Sequence, residues 1–247
     1  MCKLLVAVVT AVRGRPLAQR FCQNRGIKYS LGVIHIPSTS FSCELQHTLQ
    51  SESNFASIQK HSNLVKRHSR WYGKHDQSKR IFFNYLLLDS RITNGLRNRS
   101  KFMHKIDVWL TFLRSIFYVG KGKATRPYVH LRQAHKLLRS ANPFVLAKDP
   151  KLALIVHLWQ RKRGVILLRG FNGISSNDAH TREAAMIDAL GINHLTNRRV
   201  GVYFGVVRNK FTKEQCRLMG VLLLYRLLLA YLKNEECELR PENASVL

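Results

Sequence analysis

Acidic residues are scarce in this chain. Across 247 residues, 14 Asp and Glu stand against 41 Lys and Arg, a formal net charge of +27. Such an excess says little about fold but much about partners, which should be polyanions: DNA, RNA or an anionic membrane face. Phosphate backbones draw most of their non-specific affinity from Lys and Arg, so nucleic acid is the first expectation. Cysteines are few and scattered. Cys2, Cys22, Cys43, Cys216 and Cys237 give no C-x-x-C pair and no metal-finger spacing, so neither a disulfide framework nor a zinc site is supported. A reducing compartment is the simpler assumption. Long apolar runs are also missing. Leu4–Val12 follows Lys3 in the manner of a signal core, but Arg13 and Arg15 come at once and no small-residue cleavage site is evident. The run from Leu218 to Leu232 is shorter than the roughly 20 residues that span a bilayer and carries Arg226 in its middle. It reads as a buried core helix, and no membrane span is expected.

Residues 1–78 are rich in Ser, Gln, His and Arg without a sustained period of 3.6 or 2. They predict a basic polar extension, largely disordered and suited to a nucleic-acid arm. From residue 79 the pattern changes. Ile81–Leu88 is a short apolar run consistent with a buried strand, and Ile116–Gly120 is a second. A helix starts at Thr125 or Arg126, with Pro127 in its first turn and Leu131, Ala134 and Leu138 as its apolar stripe. Residues 151–161 suggest another helix and Val165–Leu168 a third strand. Ser176, Asn177 or Asp178 caps a helix that stops at Gly191. Val200–Val207 reads as extended. Phe211–Leu232 reads as a long C-terminal helix capped by Thr212, and 234–247 as a tail. The order describes a small α/β domain over 79–233, a short sheet covered by helices.

Several residues stand out for chemistry. Tyr85 and Tyr118 each sit in an apolar strand, where a tyrosine is ordinarily core. Tyr118 runs into Val-Gly-Lys-Gly-Lys at 119–123; the glycines let backbone approach a phosphate and Lys121 and Lys123 add charge. The Walker spacing is absent, so this is not a P-loop. Arg126 and His130 lie four apart and share a helix face. One suits phosphate, the other proton handling; an exposed basic face is the plainer explanation. Glu183 shares its face with Met186, Ile187 and Leu190. A carboxylate in an apolar stripe is costly unless it is ion-paired or metal-bound. Mg²⁺ commonly takes one or two carboxylates plus water and phosphate oxygens. Asn197 follows, able to close the same site or to cap a turn.

In that order, Phe-Asn-Tyr ending at Tyr85, Tyr-Val-Gly at 118–120, Arg126 with His130, Glu183 and Asn197 resemble the GIY-YIG nuclease superfamily. Asn-Tyr-Leu-Leu-Leu-Asp at 84–89, Phe-Tyr-Val-Gly-Lys-Gly-Lys at 117–123, Arg-Pro-Tyr-Val-His-Leu at 126–131 and Thr-Arg-Glu-Ala at 181–184 are similar to its animal subgroup with ankyrin repeats and a LEM domain. No ankyrin period or LEM domain is recognisable in residues 1–78. The resemblance implies a short, mainly antiparallel three-stranded sheet flanked by helices, and a DNA endonuclease using Mg²⁺ or Mn²⁺. It implies Tyr85 as the base, Tyr118 and His130 orienting water or sharing the proton, Arg126 stabilising the transition state and Glu183 holding the metal. Lys121, Lys123 and Asn197 would bind substrate. Branched or bridging DNA, without sequence specificity, is the implied substrate, met in repair or cell division. An intracellular location, nuclear or shuttling between nucleus and cytoplasm, goes with it. The alternative is a basic nucleic-acid-binding module that has lost catalysis.

Overall fold

A strand that is apolar on both faces belongs in the middle of a sheet. The computed structural model describes residues 41–140 and 149–246. There, β1 (Phe82–Asp89) is buried at every position after the first. It pairs antiparallel with β2 (Ile116–Gly122) on one side and β3 (Val165–Ile174) on the other. A short β4 (Glu238–Leu239) extends β3, giving the order β2-β1-β3-β4. The expected three strands thus become four, and the supposed tail supplies the fourth. Trp159 Nε1 donates to the Leu239 carbonyl at 3.0 Å, and Gly164 N donates to Glu238 Oε2 at 2.7 Å, which fix that strand in place.

Alternation along the strands divides the core. Leu86, Leu88, Val119, Ile166 and Leu168 face one side, packed with α6 (Lys105–Ser115), α9 (Ser176–Leu190) and α11 (Lys213–Lys233). Phe83, Tyr85, Leu87 and Phe117 face the other, packed with α7 (Arg126–Ser140) and α8 (Pro150–Gln160). The sheet is sandwiched between helices. Helix α6 was not foreseen; together with α4 (Ser90–Thr93) and α5 (Leu96–Arg99) it fills the long connection from β1 to β2 and buries Trp109, Phe112 and Leu113. Thr212 and Gln215 form a reciprocal capping box at the start of α11. By length and composition α11 could cross a membrane, but Met219, Val221–Leu224, Leu227, Leu228 and Tyr231 lie in the core. The cap of α9 is Ser175, just before the three candidates. Residues 200–204 join no sheet and lead into α10 (Gly205–Lys210), so the expected extended piece stops short of residue 205.

Residues 41–75 correct the expectation of a structureless extension. They form α1 (Cys43–His47), α2 (Glu52–Ser57), a 3₁₀ turn at Ile58–His61 and α3 (Ser62–His75). Phe41, Leu45, Ile58 and Val65 enter the core. α1 and α2 are too short to show a period, α3 carries one in Val65, His68 and Tyr72, and serines that look like linker composition are caps: Ser42 accepts from Leu45 N and Ser51 from Asn54 N, both at 3.2 Å. Residues 1–40, including Leu4–Val12, lie outside the described residues.

The last turns of α3 are tied to α9. His68 Nε2 and Arg182 Nε meet Asp178 Oδ1 at 2.7 and 2.5 Å. Burial pushes the Asp178 carboxyl up, but the bonds from His68 and Arg182 outweigh it and hold it low. Burial also lowers the His68 pKa, so its bond is an N–H donated by a neutral imidazole.

Candidate active site

Tyr85 and Gly120 are direct partners across β1 and β2. A Cβ on Gly120 would lie 2.4 Å from Tyr85 Cζ and 2.6 Å from its oxygen. Glycine is therefore required here so that the phenol can lie flat across β2, not primarily for phosphate approach. Gly122 similarly accommodates the Arg126 stem, 2.6 Å from an added Cβ. Between β2 and α7, Ala124 takes φ +48°, a costly conformation for a residue with a Cβ.

The structure gathers Tyr85, Tyr118 and His130. Tyr85 Oη lies 3.0 Å from His130 Nε2. The Tyr85 and Tyr118 rings are 6.0 Å apart, and Tyr118 meets His130 edge-on at 5.2 Å. Burial pushes the Tyr85 pKa far above its ordinary value, with further upward pushes from Tyr118. Burial and then the Glu183 charge raise Tyr118. Burial, Lys151 and Arg126 depress His130 to about 3. At neutral pH both phenols are protonated and the imidazole is neutral, and the Tyr85–His130 bond forms with the ring proton on either nitrogen: Nε2 accepts from Tyr85 when the proton is on Nδ1 and donates to it otherwise. His130 Nδ1 is buried without a hydrogen-bond partner among the described residues.

Lys151 was not foreseen. Its Nζ lies 4.7 Å from the Tyr118 ring centroid, and burial lowers its pKa. It occupies the first turn of α8, where the helix dipole disfavours a cation. Among the described residues it makes no ion pair. Nothing in the sequence marks it, because the fold rather than a motif carries it to Tyr118. Arg126 is exposed at the start of α7 and acts electrostatically on Tyr85, Tyr118 and His130. Arg169, opposite Tyr85 on β3, was also missed. Its guanidinium lies over the Phe83 and Tyr128 rings at 4.7 and 5.1 Å. Lys123 faces solvent.

Glu183 approaches from the opposite face of the sheet. β2 is an edge strand, so its alternating side chains reach around both sides of that edge. Tyr118 points toward α7 and α8, while Lys121 points toward α9 and places Nζ 2.8 Å from Glu183 Oε2. Glu183 is 9% exposed. Burial raises its pKa against the counter-pull of Lys121. The Asn197 amide, expected at the substrate, instead closes the open edge of β2. Its Oδ1 accepts from Val119 N at 3.1 Å and its Nδ2 donates to Val119 O at 2.8 Å. Among the described residues no three His, Cys, Asp or Glu side chains cluster. A divalent ion here would have Glu183 as its protein carboxylate, with water and phosphate oxygens completing the shell, a donor set that suits Mg²⁺. A desolvated carboxylate balanced by one partly exposed ammonium fits that demand.

Two tyrosines on paired antiparallel strands, a histidine on the following helix and a buried glutamate describe a GIY-YIG nuclease-type domain. More narrowly, the chain belongs to the family described as the LEM-3-like GIY-YIG domain, whose model matches residues 82–246. It is similar to ankyrin repeat and LEM domain-containing protein 1 of Mus musculus, 40% identical over 161 residues, 65% of this chain and 29% of the relative. The Homo sapiens protein of that name is 40% identical over 163 residues, covering 65% and 26%. The Caenorhabditis elegans homolog is 33% identical over 164 residues, covering 65% and 21%. The matched stretch is thus under a third of each relative's length. No solved structure matches the chain.

Proposed function

We propose that this chain hydrolyses phosphodiester bonds in DNA with a divalent cation, Mg²⁺ or Mn²⁺, held at Glu183. The observation that carries the proposal is a buried carboxylate, costly to desolvate and paired to Lys121, across the β2 edge from two tyrosines and a histidine that face Lys151 and Arg126. When bound, the cation would polarise the phosphate and stabilise the departing oxygen. Lys121 neutralises Glu183 beforehand and then turns its charge to the phosphate. Arg126 and Lys151 balance charge that grows on the phosphoryl oxygens. Lys123 and Arg169 hold the backbone on either side.

As the water oxygen bonds to phosphorus and the P–O bond to the leaving oxygen breaks, the water must lose a proton. Burial disfavours the Tyr85 phenolate, so Tyr85 serves as a relay rather than a resident base. Its phenolic proton passes to His130 Nε2 as it takes the proton of the water, either directly or through Tyr118. His130 is unprotonated throughout the neutral range and so has a lone pair to offer, and the negative charge of a bound phosphate would have to raise its depressed basicity for it to hold the proton.

The cations address phosphates, which supports recognition by backbone shape rather than sequence. We assign branched or bridging DNA, handled in repair or cell division in the nucleus, as the substrate. The test is nicking of supercoiled and branched DNA with Mg²⁺, Mn²⁺ or EDTA. Metal-dependent cleavage by the wild type and none by Glu183→Gln, with DNA binding retained, is expected. Cleavage retained in Glu183→Gln would remove Glu183 from the metal role. Tight DNA binding without wild-type cleavage would favour an inactive binding module.

A further inference from the structure

Residues 198–204 cross α9 as a strap that is neither helix nor strand. Its first end is pinned by the two bonds from Asn197 to Val119, reinforced by Thr196 N donating to the Phe117 carbonyl at 2.7 Å. At its far end Tyr203 Oη donates to Asp188 Oδ2 at 2.6 Å, and Phe204 N donates to Thr181 Oγ1 at 3.0 Å. In between, Gly201 lies so close to α9 that an added Cβ would stand 2.3 Å from the Cα of Ala184, the neighbour of Glu183. Exposure alternates along the strap: Gly201 and Tyr203 turn inward, while Val200 and Val202 stand out at 63% and 52%.

Those two valines belong to a short set of large hydrophobics exposed among the described residues, the others being Ile81, Phe102 and Leu229. Scattered exposed side chains need no explanation. Here two of them form one ledge, on a segment fixed at both ends, beside the candidate metal ligand. Arg198 and Arg199 lead into the ledge and are exposed, and Arg198 is close enough to act electrostatically on Lys151. The strap therefore begins at the tyrosine cluster and continues past Glu183.

We infer that Val200 and Val202 form a base-contacting ledge that receives unstacked bases at a DNA branch, with Arg198 and Arg199 on the adjoining phosphates. The inference rests on the DNA-cleaving reading and specifies how that site would select its substrate. Valine methyls make no hydrogen bonds to base edges, so they carry no sequence code. Their complement is a flat apolar base face, which continuous duplex hides within the stack and a branch point uncovers. Apolar side chains that meet or part base steps are an established means of holding distorted DNA. The positive surroundings match the phosphates that accompany such bases.

The test separates binding from cleavage. Anisotropy is measured in EDTA on a three-way junction carrying 2-aminopurine at the branch and on a duplex of equal length. Wild type is compared with Val200→Ser/Val202→Ser, and with Leu229→Ser on α11 as a control for losing an exposed apolar residue. Wild type should prefer the junction and change the 2-aminopurine signal. Losing about half the burial of two valines should weaken junction binding roughly tenfold in the double variant, with duplex binding within about twofold of wild type. The control should behave as wild type. Equal loss on both DNAs, no loss on the junction, or no wild-type preference would overturn the ledge. If the serine pair melts early by circular dichroism, Val200→Thr/Val202→Thr keeps the branched shape and is judged by the same criteria. A junction preference that depends on the valines, without metal-dependent cleavage, would sustain the ledge and reject the nuclease reading.

Discussion

Replacing Gly120 with alanine would push a methyl group into the centre of the site. The new Cβ would stand 2.4 Å from Tyr85 Cζ. The ring has little room to retreat, since Tyr85 is fully buried and the rings of Phe83, Tyr118 and His130 surround it at 6.3, 6.0 and 6.3 Å. Overpacking of this kind costs about 1–3 kcal/mol. A displaced phenol also gives up its 3.0 Å contact with His130, and a buried polar group left unpaired costs about 1–3 kcal/mol. Urea unfolding should therefore show Gly120→Ala destabilised by roughly 2–5 kcal/mol. A double-mutant cycle isolates the cause. Leucine at position 85 has neither Cζ nor hydroxyl, so in a Tyr85→Leu background the alanine should cost less than about 1 kcal/mol, leaving a coupling of roughly 1–5 kcal/mol. Equal cost in both backgrounds would refute the steric account. Unchanged stability with lost cleavage would restore the view that Gly120 is there to let a phosphate approach.

Three further outcomes are expected. Lys121→Met leaves the Glu183 carboxylate desolvated without its ammonium and should cost about 1–3 kcal/mol at neutral pH, a figure reduced from that of a fully buried pair because both side chains keep some solvent. Millimolar Mg²⁺ should recover part of that loss as a larger rise in melting temperature than in wild type, and no metal-dependent rise in either protein would count against metal at this site. Lys151→Met should slow single-turnover nicking at least tenfold while thermal stability holds or rises by about 0.3–1 kcal/mol, since the cation sits at the unfavourable end of a helix; a fall in both would make Lys151 a packing residue. For His130 the folded pKa, about 3, lies below its ordinary 6.5, so below pH 6.5 the unfolded chain binds the extra proton. Stability is full above 6.5 and declines as pH falls toward 3. His130→Gln, which cannot take that proton, should flatten this part of the acid-unfolding curve, and an unaltered slope would place the sensitivity elsewhere.

Local pattern carried much of this fold. β1, β2, α7, α9 and α11 announce themselves through apolar runs, a helical stripe and caps, and the resemblance picked out the tyrosines, Arg126, His130 and Glu183 in order. Features set by tertiary geometry were not legible. Residues 105–115 hold an apolar face, but their place was hidden in a connection defined only by the strands around it. The burial of α9 on nearly every side, with Arg182 facing Asp178 one turn back, is one of these features. Lys151 and Arg169 sit in ordinary helix and strand text and gain meaning only from the rings they meet. Asn197 could be placed near the site, but not its choice of the Val119 backbone, because an open strand edge is a property of the assembled sheet. Asp178 with Arg182, four apart on a helix, was the available hint of a buried polar anchor.

That anchor reaches outside the stretch shared with relatives. The family match opens at residue 82, whereas His68, Ser69 and Tyr72 bond to Asp178, Arg182 and Thr181 from α3. The packed unit therefore extends beyond the residues the family model matches. If α3 were pulled away, a carboxylate–guanidinium pair would open to water at the root of the helix that carries Glu183. Local opening at that root would loosen the glutamate without touching it. Whatever displaces α3 would thereby reach Glu183 from the side of the molecule facing away from the tyrosines.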